Sequence, residues 1–302
     1  MKNKGVLFAL AAYILWGFFP LYFKAIQQVS ALQILAHRIA WGFVFTLAVV
    51  LVLRQWKEFR ASVFNRRTFL IYAGASVVLG INWFTYVWAV ITNHVVESSL
   101  GYFINPIVSV LLGVIFLRER LRTFQWVAIA MVTAGVVYLT ITFGQLPWIS
   151  LVLAVTFGFY GLLKKIAPLG ALHGITLETA VLTIPSLAYL FIVNANGTGT
   201  FGHSTPLLDF LLVLSGPVTA IPLLLFATGA RRIPLTTIGL LQYIAPTLQF
   251  LLGVLVFHEP FDQSRLIGFM IIWLALVLFS VENLLARRRT PSTAPIPAEI
   301  SE

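Results

Sequence analysis

The sequence predicts an all-α integral membrane protein whose ten transmembrane helices form two inverted five-helix repeats. Three observations carry that expectation: long apolar blocks, a one-sided distribution of basic residues between them, and an internal repeat at a spacing of 140 residues.

Hydrophobic residues make up 59% of the 302-residue chain and charged residues 10%, against ~25% charged in a soluble domain. So little charge cannot cover a water-facing surface. The apolar residues fall into blocks of roughly 18 to 25, and a helix needs ~20 of them to cross a hydrocarbon core of ~30 Å. The blocks place spans at roughly 5–24, 31–53, 69–92, 95–117, 126–143, 148–165, 175–194, 208–229, 235–257 and 265–286. In lipid only helices and closed barrels satisfy the backbone, and these blocks lack the ~10-residue apolar/polar alternation of barrel strands. Cysteine is absent, which excludes disulfides and thiolate metal sites.

With both termini on the cytoplasmic side, the inner segments collect Lys2, Lys4, Arg54, Lys57, Arg60, Arg66, Arg67, Arg118, Arg120, Arg122, Lys164, Lys165, Arg231, Arg232, Arg287, Arg288 and Arg289, which is 17 of the 20 basic residues. Lys24 and Arg265 fall outside and Arg38 lies within the second span. An asymmetry of this size orients the chain under the positive-inside rule. The basic clusters between spans also account for the net charge of +10 without a nucleic-acid partner. The first apolar run is long for a signal peptide and has a counterpart later in the chain, so it reads as a span. Residues 287–302, rich in Pro and polar side chains, are expected to be a disordered cytoplasmic tail.

Displaced by 140 residues, the segment from Pro106 to Glu119 matches that from Pro246 to Glu259 at six of 14 positions, among them Pro, Gly and Glu. A displacement of 141 puts Gly17 on Gly158, Leu21 on Leu162 and Lys24 on Lys165. The chain therefore divides into a first repeat over 1–145 and a second over 146–286. Because five spans are an odd number, the second copy enters the membrane in the opposite direction, as in many secondary transporters. Such symmetry puts a substrate site near the midplane between the halves.

Several stretches carry a resemblance to a known family: Trp16-Gly-Phe-Phe-Pro-Leu-Tyr-Phe-Lys24, Ala36-His-Arg-Ile-Ala-Trp41, Asn82-Trp-Phe-Thr-Tyr-Val-Trp-Ala89, His94-Val-Val-Glu-Ser-Ser-Leu-Gly-Tyr-Phe-Ile-Asn-Pro106, Phe159-Tyr-Gly-Leu-Leu-Lys-Lys165 and Arg231-Arg-Ile-Pro-Leu-Thr-Thr-Ile-Gly-Leu-Leu-Gln-Tyr-Ile-Ala-Pro246. Together they resemble the drug/metabolite transporter superfamily with its EamA-type repeats, and within it the RarD branch. The resemblance implies a ten-helix permease of the bacterial inner membrane with both termini in the cytoplasm. Gln33 departs from the pattern, where an acidic residue is expected before Ala36-His-Arg.

A charge at the centre of a span costs ~2.5 to 3.5 kcal/mol on insertion scales, so Arg38 is the foremost candidate for a substrate contact. Its guanidinium suits a carboxylate or phosphate. The competing reading is a structural ion pair with Glu97 at the outer start of the fourth span. His94 and Glu97, three apart on one helix face, are candidate coupling groups if protons take part; an interfacial pair facing water has the same pattern. Trp16, Asn82, Tyr86, Tyr102, Asn105, Gln242 and Tyr243 are candidate cavity-lining residues, although amides also bridge helices and aromatics also mark interfaces. Pro20, Pro106, Pro217, Pro222 and Pro246 each remove a helical hydrogen bond, and the repeat-related Pro106 and Pro246 are candidate hinges. Gly17, Gly158 and Gly161 allow close helix approach, and Glu119 and Glu259 read as groups at helix ends.

The sequence carries no His-Glu-x-x-His, no Gly-x-Ser-x-Gly, no Walker motif and no pair of aspartates within spans, so neither an enzyme nor an ATP-driven pump is expected. No metal or cofactor is called for. The expected function is a secondary transporter, an exporter of a small metabolite or drug working by alternating access. A channel-like pore or a non-transporting scaffold or receptor is the alternative.

Overall fold

The computed structural model describes residues 2–63, 65–118, 121–230, 232–233 and 235–289. Glu119, Arg120, Arg231 and the Pro-rich tail from residue 290 lie outside them. Within the described residues every regular element is helical. The order is α1 (Lys2–Gly17), α2 (Phe19–Ala25), α3 (Ala31–Val52), α4 (Trp56–Val63), α5 (Arg66–Ile91), α6 (Val95–Leu117), α7 (Thr123–Phe143), α8 (Trp148–Ile166), α9 (Ala171–Ala195), α10 (Pro206–Ala230), α11 (Leu235–Leu241), α12 (Ile244–Leu251), a π-helical stretch Leu252–Val256, and α13 (Gln263–Arg289). Nine segments are long and apolar enough to cross a bilayer, and Ile244–Val256 forms a shorter apolar helix. The ten expected spans are therefore present, and α13 reaches Arg289 at its end. Both the first and the last span reach one side of the bundle, called the terminal face below; the other is the far face.

Two spans are broken, and proline accounts for the first break. Pro20 has no N–H to offer the carbonyl of Trp16 four residues back, and its ring crowds that carbonyl. The helix stops at Gly17 and restarts at Phe19. The freed Trp16 carbonyl accepts instead from Nε2 of Gln249 on α12, at 2.9 Å. The ninth span is interrupted before Pro246, between α11 and α12. By contrast α6 continues through Pro106, and α10 continues through Pro217 and Pro222.

The packing of the bundle repeats itself. α6 lies along α8 as α1 lies along α12; α1 lies along α10 as α8 lies along α5; α3 lies along α10 as α9 lies along α5. Each member of these pairs becomes its companion when the span number is advanced by five. Glycine serves the same purpose in two of these contacts. A Cβ on Gly17 would stand 2.7 Å from the Cβ of Leu248, and one on Gly158 would stand 3.0 Å from a methyl of Leu112 and 3.2 Å from one of Val108. Gly161, by contrast, has open space where its Cβ would be.

The far face is sealed by an apolar cluster that includes Phe23, Ile26, Val95, Ile149, Leu153 and Leu212. Polar bonds lock its rim. Glu259 accepts from the backbone N–H groups of Val95 and Val96, Tyr22 donates to the Leu211 carbonyl, and Lys24 donates to the side chain of Asn93.

Candidate functional site

Arg38 sits seven residues into α3, about 10 Å along the helix from its far-face end. It is 4% exposed. Its guanidinium lies 4.3 Å from the ring centroid of Trp83, 5.4 Å from that of Phe23 and 5.8 Å from that of Phe19, within cation–π range of all three. Nε donates to Oγ1 of Thr219 on α10 at 2.7 Å, and that hydroxyl donates onward to the Ser215 carbonyl. Nη1 is buried and has no hydrogen-bond partner.

The hydroxyl of Tyr86 shares this condition: it too is buried and unpartnered. The Tyr86 ring meets Phe23 edge-on at 6.0 Å and Tyr102 edge-on at 5.7 Å. Tyr102 donates to Oδ1 of Asn82 at 3.4 Å. Asn82, which is 1% exposed, donates to the Leu153 carbonyl at 3.1 Å and to Oγ1 of Thr156 at 2.9 Å. Four of the residues singled out from the sequence, Arg38, Asn82, Tyr86 and Tyr102, thus form one connected constellation between α2, α3, α5, α6 and α8.

The others are placed elsewhere. Trp16 packs edge-on against Tyr13 and at a tilt against Phe226, at 5.7 Å. Asn105 faces Ser109 one turn on, at 3.5 Å. Tyr243 stacks on Phe103 at 6.5 Å, and Gln242 is its half-buried neighbour.

Glu97 is not the counter-ion of Arg38. Its carboxylate accepts from the backbone N–H of Ile149 at 3.1 Å and its carbonyl from the hydroxyl of Ser150 at 2.6 Å. A carboxylate at the first turn of α8 meets unpaired N–H groups and the positive end of the helix dipole, which is why Glu97 settles there. His94 precedes α6, stacked on Trp88 at 5.5 Å with Nδ1 3.0 Å from Oγ1 of Thr92. Gln33, in the place where an acid was expected, bridges α3 to the segment after α9: it donates to the Thr198 carbonyl and accepts from the Thr200 N–H, each at 3.0 Å. On the flank of the bundle beside it, a cavity of about 490 Å³ is lined by His37, Trp41, Phe191 and Phe201 among others. That cavity is mostly apolar and does not include Arg38.

Sequence reasoning did not single out a second buried polar group. Glu178, on α9, is 0% exposed and pairs with Lys164 of α8 at 2.9 Å. It also accepts from the hydroxyl of Tyr160 at 3.0 Å. Lys164 had been counted among the basic residues of an inner loop, whereas its ammonium lies 4.8 Å from the Tyr72 ring and 5.6 Å from the Tyr160 ring. The signal for this site was in the chain: an acidic residue inside an apolar span, 140 positions after Arg38.

These elements define a multi-pass α-helical membrane protein with charged and aromatic side chains enclosed between its spans. Residues 3–141 match the EamA-like transporter family. The chain is 46% identical over 295 residues to the uncharacterized transporter YojE of Bacillus subtilis, covering 96% of this chain and 98% of that one. It is 45% identical to the protein RarD of Streptomyces exfoliatus, over 96% of this chain and 92% of that one, and 42% identical to the protein RarD of Escherichia coli, over 95% and 97%. A crystal structure 20% identical in sequence shares the fold with a TM-score of 0.58, covering 95% of this chain and 99% of that one. The protein belongs to the EamA-like transporter family, in the RarD branch of the drug/metabolite transporter superfamily.

Proposed function

We propose that this protein is a secondary transporter that carries a small anionic metabolite or drug across the bacterial inner membrane, binding it at Arg38. The observation that carries this reading is the unpartnered Nη1 of a buried arginine in the same cluster as Tyr86, whose hydroxyl is also buried and unpartnered, the two side chains meeting through the Phe23 ring. Among the described residues, the ionisable side chains that the Arg38 charge reaches are Tyr102, Tyr86 and Tyr22, all of them neutral phenols at physiological pH. A cation enclosed without an anion is costly, and a ligand carboxylate or phosphate answers it with charge-assisted bonds from the guanidinium. Trp83, Tyr86, Tyr102 and Asn82 then form the aromatic and amide wall of the site.

The carrier works by alternating access between two inverted halves, 1–145 and 146–286, with the terminal face toward the cytoplasm. The exchange pattern of helix packing and the matched contacts of Gly17 and Gly158 support the two halves. Substrate leaves the cell in this reading. Pro106 and Pro246 serve as hinges, Pro246 at the break in the ninth span.

The test is a thermal-shift screen of purified protein against small carboxylates, phosphates, amines and neutral compounds. A ligand that binds only the folded state contributes ~2.7 kcal/mol at about 100 times its dissociation constant. An anion that shifts wild type and leaves Arg38→Gln unmoved supports the site, and saturable counterflow of that anion in liposomes separates a carrier from a channel. Shifts confined to cations or neutral compounds, or an anion shift that survives Arg38→Gln, reject it.

A further inference from the structure

Arg38 and Glu178 sit at matching places in the chain. Each is seven residues into its helix, α3 and α9 respectively, and the two are 140 residues apart. Arg38 rests on Phe19 and Phe23 of the preceding span. Glu178 is bonded by Tyr160 and Lys164 of its own preceding span, the two positions reached by adding 141 to 19 and 23. One frame therefore encloses a bare cation toward the far face and a compensated anion toward the terminal face.

We propose that Glu178 is a proton-binding site of this protein, and that its ion pair with Lys164 is a latch between α8 and α9 at the terminal face, released when the carboxylate takes up a proton. The consequence for transport, a carrier driven by protons, rests on the function proposed above; the latch itself does not.

The geometry of the pair supports this. Glu178 is fully enclosed, whereas the side chain of Lys164 is 26% exposed, so of the two partners only the lysine reaches the surface of the bundle. α8 packs along α5 and α6, and α9 along α3 and α5; the Lys164 and Tyr160 bonds to Glu178 tie the two helices directly. Gly174 makes room for the cation: a Cβ there would lie 2.7 Å from Nζ of Lys164 and 3.0 Å from the Tyr72 ring. A buried pair built only to hold two helices is commonly matched or bettered by apolar packing, and an ionisable group inside a span points to function.

Protonation acts simply. The proton comes from water and neutralises the carboxylate, which keeps its bond to the Tyr160 hydroxyl and loses its attraction for the ammonium. Lys164, still charged, is then better solvated outside. Lys164 is the charge paired with Glu178 among the described residues. From α5 the facing titratable group is Tyr72, whose hydroxyl is tied to the Leu169 backbone. From α3, Gly42 approaches Thr179, the residue after Glu178, with His37 and Arg38 toward the other end of that helix. On α9 itself His173 lies against Phe59, and Asp209 of α10 is held at the far face by Gly202.

The chain holds no cysteine, so the full-length protein accepts two nitroxides without further change. Val52→Cys and Ile166→Cys place them on exposed positions at the terminal-face ends of α3 and α8. Electron–electron distances are measured in nanodiscs, with no substrate added, between roughly pH 8 and pH 5. We expect a longer-distance population to grow as pH falls, its ratio to the latched one changing by up to ~tenfold per pH unit, the limit for one proton. Glu178→Gln should hold the longer population at every pH. A pH response that persists in Glu178→Gln, or a wild type that does not respond, overturns the proposal. If Glu178→Gln does not fold, Gly174→Ala replaces it: by crowding Lys164 it should move the transition to higher pH, and an unmoved transition counts against the latch. A latch that responds while no anion binds at Arg38 would reject the substrate reading alone.

Discussion

The carboxylate of Glu259 accepts from the backbone N–H groups of Val95 and Val96 at 2.6 and 2.8 Å, so the end of the ninth span caps the start of the fourth. These N–H groups have no partner within α6 itself, and Glu259 is 6% exposed. Close beside them, a Cβ on Gly253 would stand 2.7 Å from a methyl of Val96. Truncating Glu259 leaves two buried donors unanswered. Glu259→Ala is expected to lower stability by about 2 to 3 kcal/mol, and Glu259→Gln by less, because the amide oxygen still accepts from one of them. Thermal unfolding of the purified variants in one detergent checks the order.

Arg38 should separate binding from stability. Its burial without a counter-ion means that Arg38→Met, which fills similar volume without charge, should be neutral or stabilising by up to ~4 kcal/mol. The same variant should lose all response to an anionic ligand. Arg38→Lys keeps the charge but loses the planar fork, the Nε bond to Thr219 and the stacking on Trp83, so it should not restore binding. A large loss of stability in Arg38→Met would mean that the arginine is a structural strut.

Two glycines make opposite predictions. A Cβ at Gly216 would collide with the backbone carbonyl of Trp41 and the amide of Gly42, whereas Gly161 has nothing within 4 Å of that position. Gly216→Ala must push α10 away from α3, with an expected loss of about 1 to 3 kcal/mol. Gly161→Ala should be neutral or stabilising by up to ~1 kcal/mol, since alanine is the better helix former. Paired unfolding curves decide both.

The bond from Gln249 to the Trp16 carbonyl exists because Pro20 withholds its own. Gln249→Leu is expected to cost about 1 kcal/mol in the wild-type background. With Pro20→Ala, residue 20 regains an N–H that can close the helix onto Trp16. The cost of Gln249→Leu should then shrink, and a double-mutant cycle measures that coupling. Equal costs in both backgrounds would show that the proline does not govern this bond.

The spans were legible in the chain because the bilayer imposes a local, one-dimensional rule: each must be apolar for about 20 residues. Glu259 at a helix end, Gly17 and Gly158 at close crossings, and Arg38 as a buried charge followed from the same local logic. The gathering of Asn82, Tyr86 and Tyr102 about Arg38 was readable only as a set of candidates. Asn105, Gln242 and Tyr243 had equal standing on composition and make their contacts elsewhere, and Trp16 packs at the edge of the apolar cluster that holds Tyr86.

The sequence by itself determined the number of spans, the all-helical class and the family, since these depend on hydropathy, on where charge is tolerated and on residues read in order. The tertiary structure decided the partners. Glu97 went to the first turn of α8 and left Arg38 without a counter-ion among the described residues, and Lys164, one residue from the end of an apolar run among loop-like charges, turned inward to Glu178. The reason is physical: the cost of burying a charge is fixed by the residue, but the group that answers it depends on which helix faces come together. That is settled by packing between spans far apart in the chain.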